Sequence, residues 1–113
     1  MHAEVERRLG HVLASIDRIG RFAAGLDFEA YLRSELHRGA IERGFEKIGE
    51  AMRIASKLDP TLSRRIPALL KIIGLRDRVI HGYDIVDDTI SWGTVQRNLP
   101  ELHDQIVVIL NEG

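Results

Sequence analysis

Apolar residues recur every three or four positions along most of this chain, which is the spacing of amphipathic helices. In the first segment one apolar stripe extends to Phe22, and the stretch AAGLD that follows predicts the end of a first helix. The stripe consists of Val5, Leu9, Val12, Leu13, Ile16 and Ile19. A short helix is predicted over DFEAYLRSEL, with Asp27 as its N-cap.

A second long helix is predicted from about Leu36 to Lys57, and it ends at LDP because a residue before proline is biased out of the helical region. Its inward face consists of Ala40, Ile41, Phe45, Ile48, Met52 and Ala55. Three interior glycines, each costing about 1 kcal/mol against alanine, predict close approach of a neighbouring helix or of a second subunit. They are Gly39, Gly44 and Gly49. Charged residues at i, i+3 spacing, Arg43 and Glu46 among them, predict ion pairs on the outer surface.

A fourth helix is predicted to begin between Ser63 and Pro67 and to end in the stretch RDRVIHGY. Asp87 or Asp88 can cap a further helix, and Pro100 occupies what would be the first position of the last one. No strand pattern competes with these periodicities. The predicted fold is all-α, an antiparallel four-helix up-down bundle with an additional short helix, formed as a single domain over residues 1–113.

The composition of the chain excludes several classes of function. The absence of cysteine excludes a thiol nucleophile, a disulfide framework and a cysteine zinc site. The histidines show no ligand spacing with carboxylates, so no metal site is predicted, and no other cofactor is expected. No signal peptide or membrane span is predicted, and the expected location is cytoplasmic. A net charge of -1 argues against binding nucleic acid through the overall field, although a local basic surface remains compatible with it.

Such a basic surface is predicted around the fourth helix. Residues 61–80 hold five basic residues and one acidic residue, Asp77. The basic residues are Arg64, Arg65, Lys71, Arg76 and Arg78. Because acidic residues follow at once, this patch suits a phosphate or a short single-stranded RNA better than a long duplex. The alternative is that arginines near the end of a helix simply favour its negative pole.

The spacing within RDRVIHGY limits how its side chains can meet. On an unbroken helix, Arg76 and His81 would lie about 140° apart around the axis. Asp77 and Arg78, four and three residues before His81, would be its neighbours, and Asp77 could orient a cationic imidazole. Arg76 would have to act across a cleft, most simply toward a symmetry-related copy of the same stretch.

The stretch LRDRVIHGY resembles the R-x4-H-x-Y signature of the HepT-like proteins, a family within the HEPN superfamily of helical nucleases. The similarity continues through AIERGFEKIGEA, YDIVDDTISW and QRNLPELHDQI, so that it covers most of residues 36–110. The resemblance implies an HEPN-like bundle acting as a metal-independent ribonuclease toxin. It implies a homodimer in which Arg76 and His81 are the catalytic pair, supported by Asp77, Arg78 and Tyr83.

In the family that this chain resembles, the signature tyrosine is also a modification site. The resemblance therefore implies a type VII-like toxin–antitoxin system with an MNT-type nucleotidyltransferase as partner. This partner would silence the toxin by transferring AMP to Tyr83.

Two functions are compatible with the sequence. The first is an RNA-cleaving toxin, favoured by the intact Arg76, His81 and Tyr83. The second is a catalytically weak HEPN module that serves as dimeric binding partner or substrate of the nucleotidyltransferase. Asp77 favours the second, because the family often has asparagine at this position and an anionic side chain there would repel phosphate.

Overall fold

The computed structural model describes residues 1–69, 71–74 and 88–112, and every regular element within these ranges is helical. The helices are α1 (Ala3–Ala23), α2 (Phe28–Arg33), α3 (Glu35–Leu58), α4 (Leu62–Arg65), α5 (Asp88–Gly93) and α6 (Leu99–Asn111). Residues 71–74 are also helical, and a π-helix at Thr94–Asn98 joins α5 to α6. The prediction of an all-α, HEPN-like helical bundle is confirmed.

Side-chain caps and one glycine define the boundaries of the first helices. Helix α1 ends at Ala23, and Gly25 adopts a positive φ of 79°, a backbone conformation that L side chains rarely adopt. The Asp27 carboxylate accepts a hydrogen bond of 2.8 Å from the Ala30 N–H at the start of α2, as the sequence predicted. Ser34 caps α3 in the same manner. These local signals explain why both predicted boundaries are confirmed.

Helices α1 and α3 run antiparallel and supply most of the described core. Two apolar stripes face one another: Val5, Leu9, Val12, Ile16 and Ile19 from α1, and Ile41, Phe45, Ile48, Met52 and Ala55 from α3. Ala40, predicted to face inward, is only partly buried. Gly44 explains the close approach, since a Cβ atom there would lie 2.6 Å from the Ile19 Cδ1 atom. At Gly39 an added Cβ would meet no atom of the described residues within 4 Å, so no neighbouring helix of the described bundle approaches it.

The predicted start of the fourth helix is also wrong. The chain forms the single turn α4, and Ile66 then leaves the helical region with φ −126° and ψ 87°. Pro67 is the cause, because its ring disfavours a helical conformation in the preceding residue. The helix resumes beyond the proline, and Ile66, Leu69 and Ile72 are buried in the core.

Pro100 lies in the first turn of α6, as predicted, and the π-helix joins α5 to α6 without a break. A proline inside an α-helix removes one hydrogen bond, and its ring clashes with the carbonyl four residues earlier. Here the preceding turn is widened into the π-helix, in which the Leu99 N–H donates to the Thr94 carbonyl five residues back. The Thr94 hydroxyl donates to the Ile90 carbonyl at 2.9 Å. The chain thus passes the proline while remaining helical, and α6 packs on α1.

Within the described ranges, no helix is both long enough and apolar enough to cross a membrane.

Candidate functional site

The five predicted site residues are Arg76, Asp77, Arg78, His81 and Tyr83, and all five lie outside the described residues. Asp87, one of the two predicted caps of the next helix, lies outside them as well. The structure does describe the chain up to Gly74 and again from Asp88, five residues after Tyr83. Residues 71–74 and α5 therefore flank the predicted motif on its two sides.

A buried aromatic pair lies beside the start of α5. Tyr31 of α2 is 0% exposed, and its ring contacts the partly buried Trp92 with 5.0 Å between ring centroids and 34° between ring planes. Trp92 packs against the core, and Phe45 lies inside it, as predicted for Phe45. The sequence around Tyr31 carries no signal of this contact, because the contact joins two helices that are far apart in the chain. This pair attaches α5 to the α2 side of the bundle.

Two buried hydroxyls accompany this pair. Among the described residues, neither the Tyr31 hydroxyl nor the Ser91 hydroxyl has a hydrogen-bond partner of ordinary geometry. Burial, followed by the negative charges of Asp88 and Glu42, raises the pKa of Tyr31 to about 12, while Ser91 and Arg38 act in the opposite direction. Burial and then the charge of Asp88 also raise the pKa of Glu42. The buried phenol thus lies in a locally anionic environment.

Tyr31→Phe is expected to keep or raise the free energy of unfolding at neutral pH, with a gain of up to about 1 kcal/mol, because among the described residues the buried hydroxyl has no hydrogen-bond partner of ordinary geometry. The pKa of the phenol is near 12 in the folded state, against an ordinary value of 10. Stability that depends on the neutral phenol is therefore fully present below pH 10 and is lost as the pH rises toward 12. At most about 3 kcal/mol is involved.

Urea unfolding of both proteins at neutral pH, together with absorbance titration of the phenolate, measures these effects. The component that titrates near pH 12 should disappear in Tyr31→Phe. A loss of more than about 1 kcal/mol at neutral pH would instead show that the Tyr31 hydroxyl makes a strong hydrogen bond.

A second feature is a cleft on the outer face of α1 and α3, with a volume of about 510 Å³ that continues into a second hollow of about 250 Å³. Its basic lining residues are Arg8, His11, Arg18, Arg43 and Lys47. Arg43 pairs with Glu46 at 3.2 Å and Arg53 pairs with Glu50 at 2.6 Å, so the predicted i, i+3 ion pairs are confirmed. The cleft was not identified from sequence, since the two helices supply its cations separately.

In the part of the chain that the structure describes, no group of three or more histidine, aspartate or glutamate side chains is arranged to hold a metal ion.

Comparison with known proteins identifies the family of this chain. The family model described as "Ribonuclease HepT-like" matches residues 12–109, which include α3, the predicted motif and the helices on both sides of it. The chain belongs to the HepT-like ribonuclease family. The resemblance inferred from the residues is confirmed, and membership in this HEPN-type family supports a ribonuclease activity.

Curated relatives carry corresponding names. A protein of Caldanaerobacter subterraneus named "Putative RNase" is 31% identical over 104 residues, which cover 92% of each chain. A "Putative RNase" of Methanocaldococcus jannaschii is 26% identical over 111 residues, covering 96% of this chain and 93% of its own. A "Probable ribonuclease HepT" of Thermococcus cleftensis is 31% identical over 94 residues, covering 83% and 84%. No solved structure matches the chain.

Proposed function

We propose that this HepT-like protein is a metal-independent endoribonuclease toxin of a type VII-like toxin–antitoxin system and that it acts as a homodimer. The observation that carries the proposal is the family match over residues 12–109, a range that contains Arg76, His81 and Tyr83 at the spacing of the family signature. The names of the relatives support the same reaction class.

The residue types suit RNA cleavage without a metal. RNA carries its own nucleophile, the 2′-hydroxyl, whose oxygen attacks the adjacent phosphorus while the 5′-oxygen leaves. The products are a 2′,3′-cyclic phosphate and a free 5′-hydroxyl. His81 removes the proton from the 2′-hydroxyl and supplies one to the leaving 5′-oxygen, because the ordinary pKa of an imidazole lies near neutral pH. Arg76 stabilises the negative charge that develops on the phosphate oxygens.

A homodimer follows from the spacing within the motif. Arg76 and His81 would point about 140° apart on one helix, so one protomer would not bring both to the same phosphate. Two-fold symmetry gives a simple solution, because two copies of the motif facing one cleft form two equivalent sites, each with Arg76 and His81 from different protomers. Asp77 and Arg78 support the site by orienting the imidazole and by adding positive charge beside it.

Control of the toxin is assigned to Tyr83. A cognate MNT-type nucleotidyltransferase would transfer AMP from ATP, with the phenol oxygen of Tyr83 attacking the α-phosphorus, pyrophosphate leaving and the phenol proton passing to a base. The adduct would place a bulky anion where the RNA phosphate must bind. The chain has two tyrosines, and Tyr31 is fully buried, which supports Tyr83 as the acceptor.

RNA cleavage in the presence of EDTA tests the proposal. The purified wild-type protein is expected to cleave single-stranded RNA at an unchanged rate when EDTA is added, because the reacting groups are side chains and the RNA 2′-hydroxyl. Products should carry 2′,3′-cyclic phosphates, which mass spectrometry detects. RNA with 2′-O-methyl groups is the matched control and should remain intact.

Absence of cleavage with any RNA pool would contradict the enzyme proposal. It would favour the catalytically weak HEPN module that serves as binding partner or substrate of the transferase. Asp77 is the feature that supports this second function, and Asp77→Asn distinguishes the two. A gain of cleavage in this variant would show that the carboxylate suppresses an otherwise complete site.

A further inference from the structure

We infer that the cleft between the outer faces of α1 and α3 binds single-stranded RNA, at a site separate from the R-x4-H-x-Y motif. The inference rests on the proposed ribonuclease function for its biological role and on the described side chains for its chemistry. It adds a substrate-binding surface formed by α1, a helix that the motif does not include.

The first support is the charge of the cleft. Arg8, His11 and Arg18 from α1 line the cleft together with Arg43 and Lys47 from α3, and Arg8 and Arg43 are paired with Glu4 and Glu46 of their own helices. Within the described ranges, no ion pair involves Arg18 or Lys47. The two cleft carboxylates, Glu46 and Glu50, are each paired with an arginine of their own helix. Cations that hold no carboxylate are available to phosphate oxygens.

The second support is an exposed aromatic ring at one end of the cleft. Phe22 is 37% exposed and lines the hollow together with Ile19, Ala40 and Gly44. Bases of a single strand stack on aromatic rings, and such stacking tolerates any sequence. Cations beside an exposed ring are the combination found in single-strand binding grooves.

The third support is the length of the surface. Fourteen residues separate Arg8 from Phe22 in the sequence, which corresponds to about 21 Å along a helix. Sites for single strands typically cover about 4–16 nucleotides, and a cleft of this length fits the lower part of that range. A net charge of -1 for the chain agrees with a short local track rather than a surface for long duplexes.

The charge pattern also favours RNA over a second copy of the chain. A two-fold interface at this cleft would bring Arg18 and Lys47 of both protomers into one contact, where the carboxylates Glu46 and Glu50 are already paired with arginines of their own helix. Juxtaposed like charges oppose association by several kcal/mol. A polyanion removes that conflict, because its phosphates lie between the two rows of cations.

The test is a binding measurement with a charge-reversal variant, Arg18→Glu/Lys47→Glu. The probe is a fluorescein-labelled, fully 2′-O-methylated single-stranded RNA of about 12 nucleotides, a length within the range of single-strand sites. Its affinity is measured by fluorescence anisotropy over a series of salt concentrations. We expect at least about a tenfold rise in Kd and a salt slope shallower by about 1.4, since each lost phosphate contact contributes about 0.7.

The matched control is Arg33→Glu/Lys57→Glu, which makes the same change in charge at two exposed residues outside the cleft lining. This control variant is expected to change Kd by less than about threefold, because it acts on the RNA only through the overall electrostatic field of the protein. Phe22→Ala should weaken binding with little change in the salt slope, because stacking releases no counterions. Circular dichroism checks that each variant is folded. If Arg18→Glu/Lys47→Glu is not folded, the neutral variant Arg18→Gln/Lys47→Gln takes its place.

Three results overturn the inference. The first is a wild-type protein that does not bind the probe, and the second is an Arg18→Glu/Lys47→Glu variant with unchanged Kd and salt slope. The third is a variant that retains RNA affinity but loses self-association or binding of the nucleotidyltransferase, which would assign this face to a protein partner.

The probe separates this inference from the proposed nuclease function, because 2′-O-methylated RNA is not cleaved. Cleft-dependent binding without cleavage of ordinary RNA would retain the binding site and reject the enzyme. Cleavage by the wild type, together with cleft variants that bind the probe as tightly as the wild type, would retain the enzyme and reject the binding site.

Discussion

His81→Ala is expected to lower the rate of RNA cleavage by about 10²- to 10⁴-fold, the usual contribution of a positioned acid–base group. The imidazole is the only group in the motif that titrates near neutral pH, and water replaces it poorly. Single-turnover cleavage of labelled RNA measures the rate. Thermal unfolding and size-exclusion chromatography should show an unchanged fold and assembly, since alanine is compatible with the helix end that the sequence predicts at this position.

His103→Ala is the control for this variant. His103 lies on α6, with its ring nitrogen 3.7 Å from the Asp17 carboxylate, and belongs to no predicted site. Its replacement should leave cleavage within about twofold of wild type, because exposed ion pairs contribute little. Full activity in His81→Ala, or an equal loss in His103→Ala, would contradict the assignment.

Mixing two inactive variants examines where the catalytic pair is assembled. If each site takes Arg76 from one protomer and His81 from the other, a dimer of Arg76→Ala with His81→Ala contains one intact site. Random exchange of protomers should then restore about a quarter of the wild-type activity. No recovery after confirmed subunit exchange would indicate that each site lies within a single protomer.

Tyr83→Phe is expected to eliminate AMP addition altogether. Phenylalanine keeps the ring but lacks the nucleophilic oxygen, so transfer from ATP has no acceptor at this position. Intact-protein mass spectrometry after co-expression with the neighbouring nucleotidyltransferase should show the mass of AMP on the wild type and none on the variant. The mass readout does not depend on whether Tyr83 also contributes to RNA cleavage.

Tyr31→Phe provides the matched control, since it removes the other phenol of the chain. Burial leaves that hydroxyl inaccessible to a transferase, so the adduct should form in this variant as in the wild type. An adduct that persists in Tyr83→Phe and maps elsewhere would reject Tyr83 as the modified residue.

The sequence predicted the elements whose causes are local. The stripes of α1 and α3, the Asp27 cap and the end of α1 follow from side chains within a few residues of each boundary. The start of the fourth helix was predicted wrongly because a proline constrains only nearby dihedral angles. Pro67 follows a break in the helix, whereas the chain continues through Pro100 because packing of α6 on α1 keeps the segment helical.

The candidate sites, too, could be predicted from sequence only where their residues lie close together in the chain. The R-x4-H-x-Y motif is contiguous, so the residues themselves led to the family that the comparison confirmed. The Tyr31–Trp92 contact and the basic cleft join residues from separate helices, and no single helix contains either arrangement. One signal was available on α1, where Arg8, His11, Arg18 and Phe22 fall on one face at helical spacing. Without the position of α3, that pattern was equally compatible with a solvated surface.

The π-helix before Pro100 gives this chain a local tolerance for changes in length. A π turn contains more residues than an α turn, so deletion of one residue within Thr94–Asn98 can be absorbed by tightening that turn. The same deletion in α3 would rotate all following positions by about 100° and move its apolar stripe away from α1. A variant that lacks one residue of this segment is therefore expected to retain Leu102, Ile106 and Ile109 in the core.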